Sequence, residues 1–300
     1  MGRKLEAAIA VLNGAVGDYL ARTGNGLATP MGLIHEGKNL AIDDAALSAA
    51  HPHASGRVAV LVHGLMGTEG SWRHPDGTDY GSLLARDLGI TPLYVRYNSG
   101  RPIADNGALL AALLERLIAA YPVAIEEIVL IGYSMGGLVV RSACHTASAA
   151  EHAWLAQVRR AIYLATPHRG APMERAGRVI AKALGAVDDP YARLLASLAE
   201  LRSAGVKDLG DADLGHRDRA RLGNSQPAAW LASIEHYLIA GALFTEPRLA
   251  RWVGDAMVPL ASATDGQNAA SHVRIINGSS HARLARHPEV YVHLREWCAA

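Results

Sequence analysis

The run Glu127-Ile-Val-Leu-Ile131 passes without a break into Gly132-Tyr-Ser-Met-Gly136, and a helix-like stretch from Leu138 to Ala147 follows. A strand that enters Gly-x-Ser-x-Gly and leaves as a helix has few folds open to it. The turn is so tight that its flanking positions must lack bulk. Gly132 and Gly136 meet that demand, and Gly137 lets the helix pack close to the sheet. Such an elbow lifts Ser134 to the carboxyl end of the strand, where its hydroxyl can meet both a base and a carbonyl carbon.

The rest of the chain supplies the partners such a strand needs. Arg57-Val-Ala-Val-Leu-Val62 is continuously apolar, as expected of a strand covered on both faces, and it ends in His63-Gly64-Leu65-Met66-Gly67. Thr91 to Tyr97, Arg160 to Ala165, Glu235 to Ala240 and His272 to Ile276 read as further strands. Between them lie helical stretches over 80–88 and over Asp105 to Ala120, the latter capped near Asp105-Asn106 and stopped by Pro122. A last helix runs from about His287 to Trp297. Alternating strands and helices predict a doubly wound, mostly parallel sheet with right-handed crossovers.

Residues 3–21 carry apolar side chains at helical spacing (Leu5, Ile9, Leu12, Val16, Leu20), and Thr23-Gly24-Asn25-Gly26 ends that helix. Residues 27–55 are rich in turn formers and are expected to be irregular. From about 171 to 230, helical pieces (Met173 to Leu184, Tyr191 to Leu201) alternate with polar, turn-rich segments such as Lys207 to Asp213. The expected organisation is an N-terminal helix and extension over 1–56, an α/β core over 57–170 and 231–300, and a helical cap or lid insertion over 171–230.

Composition narrows the class of partner. The chain of 300 residues carries a formal net charge of +1 with its Lys and Arg dispersed, which gives no footprint for nucleic acid or an anionic membrane surface. The apolar patch Ala7 to Leu12 is too short to span a bilayer or to serve as a secretory signal, so a cytoplasmic protein with no transmembrane segment is expected. Cys144 and Cys298, the two cysteines, are then expected as free thiols. Oligomeric state is not written in the sequence.

A serine hydroxyl needs an imidazole to take its proton and a carboxylate to orient that imidazole. In sheets with this elbow the chain order is nucleophile, acid, base. Gly254-Asp255-Ala-Met-Val-Pro259 follows a late strand and places a carboxylate at the sheet's edge, with Asp265 as a competitor for the same part. His281 alone among fourteen histidines follows the last strand inside a Gly-Ser-Ser turn. The candidates are therefore Ser134, Asp255 and His281. Oxyanion donors are expected at the Met135 N–H and, from the loop after the early strand, at Leu65 with Met66 as alternate. His63 is read as a brace for that loop. An apolar acyl pocket would draw on Leu65, Met66, Trp72, Met135 and Met257. His51-Pro52-His53 is the one close histidine pair, no ligand set converges on it, and no metal is expected.

Together, His63-Gly-Leu-Met-Gly67, Gly132-Tyr-Ser-Met-Gly-Gly137, Thr166-Pro-His-Arg-Gly170, Gly254-Asp-Ala-Met-Val-Pro259 and His281 resemble bacterial α/β-hydrolase lipases and esterases. More narrowly they look like the branch related to GPI inositol-deacylases, a link read as ancestry only. The resemblance covers roughly 57–170 and 235–297. It implies an α/β-hydrolase fold, a small-molecule or lipid-like carboxylic ester as substrate, and no cofactor. Tyr133 departs from the histidine such enzymes often carry before the serine. An acyltransferase or thioesterase would use the same three side chains. A non-catalytic interaction protein on this scaffold would not need them.

Overall fold

The computed structural model describes residues 2–172, 203–211, 230–265 and 272–299. Among these residues the strands are β1 (Gly32–His35), β2 (Lys38–Leu40), β3 (Arg57–Val62), β4 (Thr91–Arg96), β5 (Glu127–Tyr133), β6 (Val158–Leu164), β7 (Glu235–Ala242) and β8 (His272–Asn277). They form one sheet in the order β2-β1-β4-β3-β5-β6-β7-β8. β3 to β8 are parallel, and β1 and β2 add an antiparallel edge beside β4. The main helices are α1 (Arg3–Arg22), α2 (Asp44–Ala50), α3 (Tyr80–Leu88), α4 (Ile103–Ala120), α5 (Met135–Ala149) and α6 (Ala204–Asp211). A final helix spans Pro288–Ala299.

The unbroken apolar runs of β3 and β5 require cover on both faces. Val58, Val60, Val62, Ile128 and Leu130 pack with Leu110 and Leu114 of α4 and Leu138 of α5. Their alternating neighbours, Ala59, Leu61, Val129 and Ile131, pack with Tyr80 and Leu84 of α3 and with Leu294 and Trp297 of the final helix. Each large aliphatic side chain so buried contributes about 1.5–3 kcal/mol by leaving water. β3 sends the chain through α3 to β4 on one side, and β5 sends it through α5 to β6 on the other. The carboxyl ends of β3 and β5 therefore flank the switch point of the sheet, where open α/β sheets form a ligand crevice.

Three local expectations are corrected. Residues 27–55 are not irregular: β1, β2 and α2 lie there. Glu36 (φ 49°) and Gly37 (φ 78°) make the two-residue turn between β1 and β2, both left-handed as a hairpin of this hand requires. β4 offers β1 an unpaired edge, and that pairing outweighs the weak local propensity. Second, α4 begins at Ile103, before the expected Asp105-Asn106 cap, because the Asp208 carboxylate accepts the Ile103 N–H at 2.9 Å. Third, Lys207 to Asp211 is helical within α6. The Ser203 carbonyl accepts the Lys207 N–H, and the Ser203 hydroxyl donates to the Gly14 carbonyl of α1. The other expected helical pieces, Met173 to Leu184 and Tyr191 to Leu201, lie outside the described residues. The helix at Pro247–Val253, with Pro at its first turn and Glu246 as its cap, was not anticipated from the sequence.

Both cysteines are free and buried. Burial pushes each thiol up to about 12, so at pH 8 only about one molecule in ten thousand carries a given thiolate. The native protein should leave a disulfide reagent such as dithiobis-nitrobenzoate unreacted over minutes and titrate two thiols once denatured. Rapid native labelling would contradict this packing. No described helix is long and apolar enough to cross a membrane.

Candidate active site

Ser134 sits at φ 52°, ψ −125°, a conformation that side chains other than glycine avoid at a cost of about 1–3 kcal/mol. Its N–H donates to the Leu164 carbonyl of β6 at 2.8 Å, which holds the strained residue in place. The turn closes because two neighbours lack a Cβ. One on Gly136 would fall 2.2 Å from the Val62 carbonyl oxygen, and one on Gly137 would fall 2.0 Å from the Thr166 hydroxyl. Neither the Val62 main chain nor the buried Thr166 has room to retreat.

Asp255 follows Gly254, whose φ of 59° turns the chain out of the helix Pro247–Val253. The aspartate is almost wholly buried. Its Oδ1 accepts the Met257 N–H at 3.0 Å and the Val258 N–H at 2.8 Å, so the carboxylate is clamped by its own turn. That leaves Oδ2 to accept the Nδ1–H of His281 at 2.7 Å. The main chains are joined as well, since the His281 N–H donates to the Asp255 carbonyl at 2.9 Å. On the other side of the ring, the Ser134 hydroxyl donates to Nε2 at 2.9 Å. The structure thus brings Ser134, His281 and Asp255 into one hydrogen-bonded chain. The alternative acid, Asp265, is committed elsewhere: it accepts from Arg169 Nε at 3.1 Å and from the Trp230 indole at 2.8 Å.

The loop after β3 lies against the elbow, where a Cβ on Gly64 would sit 3.1 Å from the Ser134 Cβ. Ser99 Oγ already accepts the Met66 N–H at 2.9 Å, which removes Met66 as a spare donor. The Leu65 N–H has no acceptor among the described residues. Met135 opens α5, and the first N–H groups of a helix have no partner within it. His63 braces this loop. Its Nδ1–H donates to the Gly64 carbonyl at 2.8 Å, its ring stacks on Tyr97, and its backbone carbonyl accepts from the Tyr97 hydroxyl. Burial lowers its pKa to about 4, so it stays neutral.

Two of the expected pocket residues are core instead. Trp72 is fully buried with Tyr80 and Leu84 and against the Tyr133 ring, because its large indole gains more from the core than from an open site. The Met257 side chain packs with Ala240, Val258 and Ala263, and its contribution to the site is its backbone N–H. Met66 packs partly against Ala15, Val16 and Leu20 of α1. His51 faces the ring of His35 at 5.1 Å, and among the described residues no group of three or more His, Cys, Asp or Glu could hold a metal ion.

Two supports of the site carry no mark in the sequence. Ser99, in the turn cluster Asn98-Ser99-Gly100 at the end of β4, fixes the oxyanion-side loop. Tyr133, noted only as a departure, donates its hydroxyl to the His281 carbonyl at 2.9 Å, with its ring centroid 5.2 Å from the imidazole. Burial and the Asp255 charge both raise its pKa, so the hydroxyl remains a donor. The Thr166-Pro167-His168-Arg169-Gly170 motif packs behind the site. Arg141 donates to His168 Nδ1 at 3.1 Å and lies 4.0 Å over the Trp230 ring.

The sequence profile of the alpha/beta hydrolase family matches residues 59–294, most of the chain, and the chain belongs to that family. Among solved structures, the lipase BlEst2 of Bacillus licheniformis is similar in two forms. The propeptide form has a TM-score of 0.52 and 21% identity over 81% of this chain and 50% of that one. The mature form has a TM-score of 0.52 and 18% identity over 81% of this chain and 91% of that one. This chain therefore spans half the length of the propeptide form, and at these identities the likeness shows the fold alone. No curated protein sequence matches this chain.

Proposed function

We propose that this protein is a serine hydrolase that cleaves carboxylic esters through an acyl-enzyme. The observation that carries the reading is the unbroken path from Ser134 Oγ through His281 to Asp255, at 2.9 and 2.7 Å. His281 takes the hydroxyl proton as Oγ attacks the ester carbonyl. The N–H groups of Leu65 and Met135 receive the oxyanion, each donor lowering the barrier by about 3–4 kcal/mol. Asp255 stabilises the imidazolium, which then protonates the leaving alcohol. Water repeats the cycle and frees the acid. This chemistry calls on side chains and main chain alone, with no cofactor.

A panel of nitrophenyl esters of increasing acyl length tests the reading. Saturable hydrolysis of at least one member is expected, and complete inertness across the panel, with the protein folded, would refute it. Within this scheme Tyr133 is a positioning residue, because it ties the base's main chain to the residue beside the nucleophile. Tyr133→Phe keeps the ring and deletes a hydrogen bond worth about 1 kcal/mol. We expect kcat about five- to tenfold lower with KM nearly unchanged. A raised KM with kcat intact would assign the hydroxyl to substrate binding instead.

A further inference from the structure

The loop after β3 closes as a four-residue turn, in which the Gly67 N–H donates to the Gly64 carbonyl at 3.1 Å. Leu65, the proposed oxyanion donor, and Met66 are its two central residues. Met66 takes φ 58°. Glycine is the usual residue for a positive φ at the third place of such a turn, and a side chain there needs its surroundings to hold it. One such hold is the Ser99 Oγ that accepts the Met66 N–H. The other is α1.

α1 is shaped to reach this turn. It breaks at Val16 (φ −138°, ψ 22°). Beside the break, the Asn98 amide donates to the Gly17 carbonyl at 2.8 Å, while its Oδ1 accepts the Gly100 N–H at 3.0 Å. Contact at main-chain distance needs residues without a Cβ. One on Gly14 would fall 2.3 Å from Met66 Cγ and 3.2 Å from the Met66 Cα and N. One on Gly17 would fall 1.8 Å from Asn98 Oδ1. Polar ties then fix the register of α1, and with it the distance from Gly14 to Met66. Glu6 shares Arg96 with Glu69, just beyond the turn. Asn13, almost wholly buried, donates to the Leu27 carbonyl at 2.8 Å and accepts the Thr29 N–H at 2.9 Å. Asp18 accepts the Ala204 N–H at 3.1 Å, and the Ser203 hydroxyl reaches the Gly14 carbonyl at 2.7 Å. α1 precedes the stretch 59–294 that the family profile matches, so this chain brings its own brace to the oxyanion side.

Resting on the ester-hydrolase reading, we infer that α1 is a positioning element for catalysis. Gly14, packed on Met66, holds the turn in the form that aims the Leu65 N–H at the oxyanion. A donor of this kind acts where charge develops in the transition state, so a shifted turn lowers kcat and leaves KM alone. Ser134, His281 and Asp255 are untouched, so the pH profile keeps its shape.

Kinetics of Gly14→Ala on a nitrophenyl ester test this, with Leu294→Ala as the control for plain loss of stability. Alanine is the better helix former, so α1 itself is not weakened, but the new methyl presses on Met66. Leu294→Ala opens a cavity on the sheet face opposite the one that Leu65 packs against. We expect Gly14→Ala to lower kcat about tenfold, short of the hundredfold or more that outright loss of a donor costs. KM should stay within about twofold, and a trifluoromethyl ketone, which forms a tetrahedral oxyanion adduct, should bind about tenfold more weakly. Leu294→Ala should lower the thermal midpoint at least as far, with kcat within about twofold of wild type while folded. Met66→Gly completes the set, because glycine takes φ 58° freely and has no Cγ for the methyl to meet. In that background Gly14→Ala should change kcat by less than about threefold. A raised KM with kcat intact, a kcat loss no larger than in Leu294→Ala, or an undiminished loss in the Met66→Gly background would overturn the inference and leave the ester-hydrolase reading standing. A folded wild type that turns over no nitrophenyl ester would remove that reading, and the inference with it.

Discussion

Ser134→Ala should lower kcat on any ester substrate by about a million-fold while the protein stays folded. The loss of rate follows from the chemistry. In the proposed reaction Oγ forms the acyl bond, and among the described residues no other hydroxyl is hydrogen-bonded to His281 Nε2. Residual turnover would come only from the oxyanion donors and from binding, as in triads that lack their nucleophile. The retained fold follows from the structure. Alanine accepts the same backbone strain at φ 52° as serine does, and the Ser134 N–H bond to Leu164 is unaffected. The variant loses one side-chain hydrogen bond, about 1 kcal/mol, so its thermal midpoint should scarcely move. Steady-state kinetics and a melting curve check both halves. Activity within tenfold of wild type would remove the mechanism.

Asp255→Asn should cost about ten-thousand-fold in kcat, although it changes a single atom. The two N–H groups of Met257 and Val258 converge on Oδ1, so an asparagine must keep its oxygen there. Its NH₂ then faces His281 Nδ1, where Oδ2 now accepts. The imidazole is forced to accept at Nδ1 and to carry its proton on Nε2, the wrong tautomer to receive a proton from Ser134. Asp265 offers no rescue, because Arg169 and Trp230 hold it. Kinetics of the variant decide the point. A loss under tenfold would mean that Asp255 does not orient the base.

The parts of this molecule that were legible in the sequence are those fixed by backbone necessity. β3 and β5 announce themselves because a strand covered on both faces must be apolar throughout. The elbow does so because Gly136 and Gly137 meet main chain and a buried side chain at distances no Cβ could share. His281 and Asp255 could be picked by their place after late strands, since chain order restricts where each partner can stand. What escaped notice depends on contacts distant in sequence. β1 exists because β4 offers it an edge, and no local propensity marks Gly32–His35. α4 starts two residues early because Asp208, more than a hundred positions away, accepts its first N–H. Trp72 and Met257 were misplaced for a related reason. Apolar side chains near a motif fit a pocket and a core equally well until packing is known. Tyr133 looked like a neutral departure, and only the fold reveals that its hydroxyl reaches the carbonyl of the residue it helps to position.

The most direct test of the central claim is mass spectrometry of the protein after treatment with a fluorophosphonate. Such a reagent phosphonylates a serine whose proton a neighbouring base takes up. One adduct per chain is expected, on the peptide that carries Ser134, and it should be lost in His281→Ala under the same conditions. A native, folded protein that stays unmodified, or that is modified at another serine, would contradict it.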